Sequence, residues 1–417
     1  MKSHFKKMIG DELMRLDALG TSKRHERVIE GFTKEACPRA IINGKHFMLF
    51  NSNDYLGLRF NGEVHQAEIE SLEKYGGAAG AVRFISGTLR VHVELEEALA
   101  RFHHREAAML FSSAFSANVS VIQALCKGPS AGSLVSDNVA IVSDELNHRS
   151  IIDGIRIANL PTESRAVFCH GDYDSLKEEL EKKAGKFKRV LVISDGVFSM
   201  LGKSADVKKI REIVNDFDDK FEDGVLFILD DSHGVGCFGQ NGRGCEEIYG
   251  AKSDLLVGTL GKAFGVEGGY VAGDKIIIDY LREAAASYIY SNPVSPASAG
   301  AALEALRIVD SKRGEILLEK LRANITYFKE QMKRAGFVFA ADSQHTIQPI
   351  LVGDSQKTKN FTQALFDEGV LVTPINYPVV PKGREEIRVQ LSALHNRAEI
   401  ESFVVKAKDC AKITGVL

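Results

Sequence analysis

The sequence predicts an α/β protein, with a mostly parallel sheet in a large domain followed by a smaller α+β domain. Short apolar runs alternate with amphipathic segments such as residues 206–217, a pattern typical of parallel strands joined by crossover helices. After Pro296 the pattern changes to long helical segments over 297–335, and then to short strands and helices. The length of 417 residues also exceeds what one hydrophobic core usually holds.

Five apolar runs are the candidate strands of the large domain, and each ends in a polar or glycine-containing turn. They are residues 107–111, 139–145, 189–196, 225–231 and 254–261. We divide the chain into an N-terminal arm at 1–50, a large domain at 51–290 and a C-terminal small domain at 291–417, and we group the arm with the small domain. Two polar segments, 127–137 and 218–224, are predicted surface loops.

Composition argues against several classes of protein. The net charge is −3, so no basic excess indicates a nucleic-acid partner. No apolar run reaches the 18 residues or so typical of a transmembrane helix, and the N-terminus lacks the apolar stretch of a signal peptide. Six cysteines lie scattered without CxxC spacing, which favours reduced thiols in a cytoplasmic protein and no bound metal.

Polar clusters follow four of the predicted strands at their carboxyl ends, where α/β sheets bind ligands. They lie at residues 144–148, 194–196, 230–233 and 258–262. Together they would bring a lysine, carboxylates and two histidines to one crevice, which is suitable for holding a cationic pyridine ring.

These residue types meet the chemical demands of pyridoxal 5'-phosphate (PLP). A carboxylate such as Asp230 keeps the pyridine nitrogen protonated, so that the ring acts as an electron sink. The amine of Lys262 can form a Schiff base with the aldehyde, because burial lowers a lysine pKa. The turn at 111–118 offers a helix N-terminus for the phosphate, and Thr259 offers a hydroxyl. Each feature alone has an ordinary explanation, as a helix cap or a surface lysine, so the prediction depends on their joint occurrence.

A series of motifs resembles the α-oxoamine synthases, which are acyl-CoA-dependent PLP enzymes with the aspartate aminotransferase fold (PLP fold type I). The motifs are NSNDYLGL at 51–58, AVRFISGTLRVHVELEEALARF at 81–102, FSSAFSAN at 111–118, SDELNHRSIIDGIR at 143–156, DGVFSM at 195–200, ILDDSHGVGCFGQNGRG at 228–244, GTLGKAFG at 258–265, YIYSNPVSP at 288–296 and IRVQLSALH at 387–395. The resemblance covers most of the chain and implies that fold.

The resemblance also implies roles around the cofactor ring. Lys262 would form the Schiff base and move the Cα proton of the substrate. Asp230 would pair with the pyridine nitrogen, and His148 would stack on the ring and polarise the thioester carbonyl. His233 and Ser199 would hydrogen-bond to the phenolic oxygen of the cofactor.

Further roles concern the phosphate, the substrate and a second subunit. The backbone N–H groups of Ala114 and Phe115 would bind the phosphate together with Thr259. Ser291 and Asn292 would reach the phosphate of the neighbouring subunit, which implies an obligate homodimer with shared active sites. The substrate carboxylate would be held by Asn53 and Arg388, with an ion pair at the guanidinium.

The implied reaction joins an amino acid to an acyl-CoA with release of CoA. YSNP at 290–293 and NYPVVPKGREEIRVQ at 376–390 resemble the glycine C-acetyltransferase branch (2-amino-3-ketobutyrate CoA ligase), which predicts glycine and acetyl-CoA as substrates and 2-amino-3-oxobutyrate as product. NDYLGL and the short loop after Lys262 instead resemble 8-amino-7-oxononanoate synthase, which uses L-alanine and pimeloyl-CoA, or 5-aminolevulinate synthase. A serine palmitoyltransferase-like reaction is a further possibility. A catalytically silent partner subunit is a non-enzyme alternative, but such subunits lack the lysine.

Overall fold

The fold is described from a computed structural model over residues 3–19, 22–130 and 132–417. Small parts of the predicted N-terminal arm and of the predicted loop at 127–137 therefore lie outside the described residues. In chain order the helices are α1 (Ser3–Ala18), α2 (Gly62–Tyr75), α3 (Arg90–Phe102), α4 (Ala114–Cys126), α5 (Arg149–Ile157), α6 (Tyr173–Lys183), α7 (Val207–Asp218), α8 (Cys245–Tyr249), α9 (Lys275–Ala284), α10 (Ala286–Ile289), α11 (Pro296–Val309), α12 (Lys312–Arg334), α13 (Ser355–Asp367) and α14 (Arg397–Thr414).

The strands form three sheets. In chain order they are β1 (Gly31–Phe32), β2 (Ala40–Ile42), β3 (Lys45–Leu49), β4 (Ala107–Phe111), β5 (Val139–Asp144), β6 (Arg165–Phe168), β7 (Arg189–Asp195), β8 (Val225–Asp230), β9 (Leu255–Thr259), β10 (Gly269–Gly273), β11 (Ile347–Leu351), β12 (Val370–Leu371), β13 (Thr373–Ile375) and β14 (Glu386–Gln390). The largest sheet has the order β4-β10-β9-β8-β7-β5-β6.

Neighbouring strands of the large sheet run parallel except at β10, which is antiparallel to both β4 and β9. Strands β5, β7 and β9 are buried along their whole length, and β8 nearly so, as expected for strands covered on both faces. Two apolar clusters fill the two faces of the sheet. The carboxyl ends of these four strands therefore meet at one edge of a rigid core.

The five predicted strands of the large domain match β4, β5, β7, β8 and β9 to within two residues at each end. Strands β6 and β10 were not predicted. β6 is half-exposed, and β10 (GYVAG) has glycine at both ends and few residues that favour strands. The predicted helical region at 297–335 forms two helices, because Ser311 caps the start of α12 by accepting a hydrogen bond from the N–H of Arg313.

One of the two smaller sheets joins the N-terminal arm to the C-terminal part of the chain. Strands β1, β2 and β3 of the N-terminal arm form a sheet with β12, and β3 pairs with β12 in parallel. Strand β14 lies between β11 and β13 in the third sheet. Helix α11, which follows the predicted boundary at 290/291, packs against α2 and α3. The exact domain boundaries stay predictions. Within the described ranges, no helix combines the length and the apolar character needed to cross a membrane.

Candidate active site

A cavity of about 210 Å³ lies at the carboxyl ends of β5, β7, β8 and β9. Eight of the residues assigned a role from the sequence line it: Ala114, Phe115, His148, Ser199, Asp230, His233, Thr259 and Lys262. A second, larger cavity of about 760 Å³ is lined by Asn53 and again by Lys262. The lysine therefore contacts both spaces. We call the smaller one the ring cavity and the larger one the acyl cavity.

Asp230 ends β8 and lines the ring cavity as a buried carboxylate. Its Oδ2 accepts a hydrogen bond of 2.5 Å from the side-chain amide of Asn118, and its Oδ1 accepts one of 3.0 Å from the N–H of Ser232. Asn118 lies on α4 and also donates to the hydroxyl of Ser150, 2.9 Å away. These bonds orient the carboxylate before any ligand binds, and they stabilise its negative charge.

His148 lies at the N-cap of α5, between a buried strand and a helix. Its Nδ1 lies 2.8 Å from the hydroxyl of Ser150 and accepts a hydrogen bond from the Ser150 N–H at 3.3 Å. Burial, with a smaller contribution from the charge of Lys262, lowers the pKa of His148, although Asp230 opposes the shift. The imidazole is therefore neutral near pH 7, and the hydrogen bonds at Nδ1 assign its proton to Nε2.

His233 lies after β8, and its Nδ1 is 2.8 Å from the phenol oxygen of Tyr55. Burial and the charge of Lys262 hold the pKa of His233 well below its usual range. Burial also raises the pKa of Tyr55, so the phenol stays protonated. Its O–H can then donate a hydrogen bond to Nδ1 of His233. The Nε2–H of His233 is then available to a ligand in the ring cavity.

Lys262 follows β9 in a turn, where the N–H of Gly265 bonds to its carbonyl oxygen at 3.0 Å. Burial lowers the pKa of its amine to about 8, and the charges of Asp230 and Asp195 partly offset this. A lysine with this pKa is a neutral nucleophile in about one molecule in ten at pH 7, far more often than a lysine with the ordinary pKa of 10.5.

Asp195 is a second buried carboxyl group in the ring cavity, and the sequence suggested no specific role for it. Its Oδ2 accepts a hydrogen bond of 3.0 Å from the N–H of His148, whereas its Oδ1 has no partner among the described residues. Burial and the nearby charge of Asp230 raise the pKa of Asp195 well above its usual value. Burial and the charge of Asp230 therefore favour the protonated form of Asp195.

The N-terminus of α4 closes one end of the ring cavity. Ser113 caps this helix, and its hydroxyl accepts a hydrogen bond from the N–H of Ser116. The N–H groups of Ala114 and Phe115 belong to the first turn of the helix. They therefore have no hydrogen-bond acceptor within the helix itself. Gly269 on β10 permits this close approach, because a Cβ there would lie 2.1 Å from the nitrogen of Ala114. The result is a group of backbone donors suited to a phosphate.

Two polar residues of β14, Arg388 and Gln390, form hydrogen bonds with residues that line the two cavities. Arg388 donates to the carbonyl oxygen of Ser199 at 2.8 Å, and its buried Nε has no partner in the described parts of the chain. Gln390 donates to Oδ1 of Asn53 at 2.6 Å, and its Oε1 lies 3.5 Å from Nη2 of Arg388. Gln390 thus joins the two residues predicted to hold the substrate carboxylate.

The structure places Ser291 and Asn292 outside both cavities, on the exposed segment after α10. Their predicted contact with a neighbouring subunit stays a prediction. Among residues 3–19, 22–130 and 132–417, no group of three or more His, Cys, Asp or Glu side chains is arranged to hold a metal ion.

Asn118, Tyr55 and Gln390 are site residues to which sequence reasoning assigned no role. Each lies inside or beside a motif that carries the resemblance, but its function depends on a partner far along the chain. The bond from Asn118 joins residues 112 positions apart, and that from Tyr55 joins residues 178 positions apart. No local pattern in the sequence indicates such pairs.

The residues of the ring cavity fit PLP. The hydrogen-bonded carboxylate of Asp230 suits a pyridinium nitrogen, and the donors at the start of α4 suit a phosphate. The N–H of His233 and the amine of Lys262 line the same cavity, and they suit the phenolic oxygen and the aldehyde.

Comparisons with known proteins agree with this geometry. The sequence model of the family "Aminotransferase class I and II" matches residues 45–406. The 8-amino-7-oxononanoate synthase of Petrotoga mobilis is 39% identical over 379 residues, which cover 90% of this chain and 91% of the relative. The enzyme of the same name from Thermosipho melanesiensis is also 39% identical, with the same coverage. The chain belongs to the α-oxoamine synthase family.

Solved structures of this PLP-dependent family have the same fold. The serine palmitoyltransferase of Sphingomonas wittichii superposes with a TM-score of 0.87 at 25% identity, over 100% of this chain and 99% of that one. A serine palmitoyltransferase structure that contains PLP gives a TM-score of 0.88 at 27% identity, with the same coverage. The predicted fold, PLP as the cofactor and the acyltransferase class are thereby confirmed for this α-oxoamine synthase. The similarity to 8-amino-7-oxononanoate synthases favours the alternative substrates over glycine and acetyl-CoA.

Proposed function

We propose that this α-oxoamine synthase condenses L-alanine with pimeloyl-CoA to give 8-amino-7-oxononanoate, CO₂ and CoA. One observation carries the choice of substrates: 8-amino-7-oxononanoate synthases are 37–39% identical to this chain over about nine-tenths of its length. This proposal replaces the prediction of glycine and acetyl-CoA, for which these relatives give no support.

The residues of the site support the chemistry of this reaction. When bound, PLP supplies an electron sink that stabilises negative charge at Cα of the amino acid. Lys262 has a pKa of about 8 and contacts both cavities, so we assign it the transfer of the Cα proton. Asp230 stabilises positive charge at the pyridine nitrogen, and the Nε2–H of His233 donates to the phenolic oxygen.

Two further groups act on the substrates. The Nε of Arg388 has no partner among the described residues, and the guanidinium would bind the carboxylate of the amino acid together with Asn53. The neutral His148 carries its proton on Nε2, from which it can donate to the thioester carbonyl as negative charge develops there. Neither role requires a change in the ionisation state of these residues near pH 7.

We also assign Ser291 and Asn292 to the cofactor phosphate of a second copy of the chain. Both are exposed in the single chain and follow the short helix α10. The active enzyme would then be a homodimer with shared sites. Mixing a Lys262→Ala variant with an Asn292→Ala variant tests this: heterodimers should regain one intact site, and no regain of activity would contradict sharing.

A substrate grid tests the proposed reaction. The purified enzyme, loaded with PLP, is given alanine, glycine or serine together with pimeloyl-CoA, acetyl-CoA or palmitoyl-CoA, and the release of CoA is followed with a thiol reagent. We expect alanine with pimeloyl-CoA to give the highest kcat/KM, and mass spectrometry to detect 8-amino-7-oxononanoate. A higher kcat/KM for glycine with acetyl-CoA would overturn the proposal, and Lys262→Ala is the inactive control.

A further inference from the structure

Arg59 is a cation of the acyl cavity to which neither the motifs nor the proposed reaction assigns a role. It follows the NDYLGL motif in the 3₁₀-helix Leu58–Phe60, and it lines the same cavity as Lys262. Its guanidinium carbon lies 4.3 Å from the ring centroid of Phe32 and 4.5 Å from that of Phe60. These contacts fix the guanidinium and cover its face, while its N–H edges stay available to a ligand.

Among the described residues, the guanidinium of Arg59 forms no salt bridge with a carboxylate, although its charge acts to lower the pKa of the nearby Asp54. Across residues 3–19, 22–130 and 132–417, its hydrogen bonds run through the backbone: its N–H contacts Oδ1 of Asp54 at 3.5 Å, and its carbonyl accepts from Nε2 of His65 at 2.7 Å. Asp54 is buried beneath this turn, and burial raises its pKa to about 6. Glu68 and Glu267 also line the cavity, but both are exposed and neither forms an ion pair with the guanidinium.

The backbone of Arg59 lies close to the reactive lysine. Gly265 packs so tightly on it that a Cβ at Gly265 would lie 2.4 Å from the Arg59 nitrogen. Gly265 and Lys262 are the two ends of a hydrogen-bonded turn, which keeps their Cα atoms within about 7 Å of each other. Arg59 and Lys262 are therefore neighbours across one cavity.

We propose that Arg59 binds the carboxylate at the far end of the acyl chain, and so selects acyl-CoA substrates whose chain ends in a carboxylate. This inference rests on the proposed function, and it adds the residue that would select the proposed acyl-CoA substrate. A fixed guanidinium with free N–H groups binds a carboxylate with two parallel hydrogen bonds. None of the carboxylates that line the cavity forms a salt bridge with Arg59 in the described parts of the chain, so the substrate would supply the carboxylate that it binds.

The packing of the Arg59 backbone on the turn that begins at Lys262 favours the acyl chain over the phosphates of CoA as the source of the anion. Five methylene groups separate the two ends of a pimeloyl chain, and its extended length of about 8 Å is comparable with the span of the turn. The phosphates of CoA lie at the other end of the much longer pantetheine arm. An anion anchored beside the reactive lysine is therefore the end of the acyl chain.

A matched pair of acyl-CoA substrates tests the inference. Pimeloyl-CoA and heptanoyl-CoA have the same chain length and differ in the terminal carboxylate, and kcat/KM is measured for both with the parent enzyme and with Arg59→Met. We expect Arg59→Met to lower kcat/KM for pimeloyl-CoA about 10- to 100-fold, the loss typical of a charge-assisted hydrogen bond, and to change that for heptanoyl-CoA less than about twofold. The KM for the amino acid should not change.

Two variants serve as controls. Arg59→Lys keeps the charge and should retain part of the preference for pimeloyl-CoA, even if Arg59→Met folds poorly. Lys74→Met removes another cation that contacts an aromatic ring, at 5.1 Å from Tyr75, outside the acyl cavity, and should change neither rate. Equal losses with both acyl-CoA substrates would overturn the inference, since they would indicate a contact with CoA or a structural role.

The result also separates this inference from the proposed function. Adipoyl-CoA and glutaryl-CoA are included in the assay. If pimeloyl-CoA is not turned over but a shorter carboxylated acyl-CoA is, and its use depends on Arg59, the inference stands and the proposed function fails. If pimeloyl-CoA is a good substrate of Arg59→Met, the inference fails alone. If no carboxylated acyl-CoA is turned over, both are wrong.

Discussion

The phenol oxygen of Tyr55 lies 2.8 Å from Nδ1 of His233, and both side chains are buried. Tyr55 belongs to the NDYLGL motif near the N-terminus, whereas His233 follows β8 in the large sheet. The same phenol lies 3.3 Å from Oδ1 of Asn53, and Gln390 lies 3.5 Å away. One hydroxyl therefore connects the histidine of the ring cavity with the residues proposed to hold the substrate carboxylate.

Replacing Tyr55 with phenylalanine should impair catalysis without unfolding the protein. The change leaves the buried Nδ1 of His233 without a donor, so the proton can move to Nδ1 and the hydrogen bond to the phenolic oxygen is lost. Such a loss costs about 1–3 kcal/mol, so we expect kcat to fall about 10-fold or more. The absorbance of bound PLP should also titrate at a different pH, which spectra recorded across a pH series will measure.

Tyr280→Phe is the matched control for this variant. Its phenol donates a 2.8 Å hydrogen bond to the carbonyl oxygen of Ala124, outside both cavities. It should lose a similar hydrogen bond but keep the parent pH titration and kcat. If both tyrosine variants behave alike, Tyr55 has only a structural role.

The two carboxyl groups of the ring cavity should respond differently to the same substitution. The pKa of Asp195 is raised well above its usual value, which favours the neutral acid. Asparagine is also neutral and can still accept the hydrogen bond from the His148 N–H. We expect Asp195→Asn to change kcat/KM by no more than a few-fold. Asp230→Asn removes the carboxylate proposed to face the pyridine nitrogen and should lower kcat by about 100-fold or more.

Steady-state kinetics and the equilibrium binding of PLP, measured on both variants, check this difference. A loss at Asp195 as large as that at Asp230 would show that Asp195 acts as a charged group. The prediction that burial and the charge of Asp230 keep it protonated would then be wrong.

The pKa of Lys262 predicts how the uptake of PLP by the apoenzyme depends on pH. Only the neutral amine is nucleophilic, and burial lowers its pKa from the ordinary 10.5 to about 8. Below pH 8 the ammonium form predominates, so the rate constant should rise about tenfold per pH unit and then level off above pH 8. Stopped-flow absorbance at several pH values measures this. A midpoint near 10.5 would contradict the effect of burial, and Lys262→Ala should show no such step.

The sequence predicted where the strands of the site end, but it did not predict the side-chain contacts between them. Apolar runs specify β5, β7, β8 and β9, and the polar residues after them form the ring cavity because parallel strands end at one edge. Strand β10 was not predicted, because its glycines do not favour strands. They are needed for close packing instead: Gly269 leaves room for the start of α4. The pairing of Asn118 with Asp230 depends on tertiary structure, which no periodicity encodes.

The comparisons favour the alternative substrates over glycine and acetyl-CoA, and the reason lies in how much of the chain is compared. Local matches such as YSNP at 290–293 favoured glycine and acetyl-CoA, whereas similarity over most of the chain favours 8-amino-7-oxononanoate synthases. Arg59 illustrates why a motif misses specificity: it lies immediately outside NDYLGL, and its environment comes from Phe32 on a distant strand. If Arg59 binds the acyl carboxylate as proposed, substrate choice depends on a cavity residue that the motifs do not include.

Glu96 should be among the side chains on which stability depends most. Its buried carboxylate accepts hydrogen bonds from Arg83 at 2.9 and 3.1 Å, from Arg282 at 3.0 Å and from the N–H of Leu110 at 2.9 Å. Glu96→Ala would leave the guanidinium of Arg83 buried without its carboxylate partner, which typically costs about 3–5 kcal/mol. The free energy of unfolding from urea denaturation should fall by that amount.

The neighbouring residue Glu97 provides the matched control for Glu96. It pairs with Arg101 at 4.0 Å, but both side chains are mostly exposed. Water and salt screen such a pair, so Glu97→Ala should change the free energy of unfolding by less than about 1 kcal/mol. Raising the salt concentration should diminish this small effect but leave most of the loss in Glu96→Ala, because burial shields that network from ions. Similar losses for the two variants would contradict the assignment of Glu96 to a buried ion-pair network.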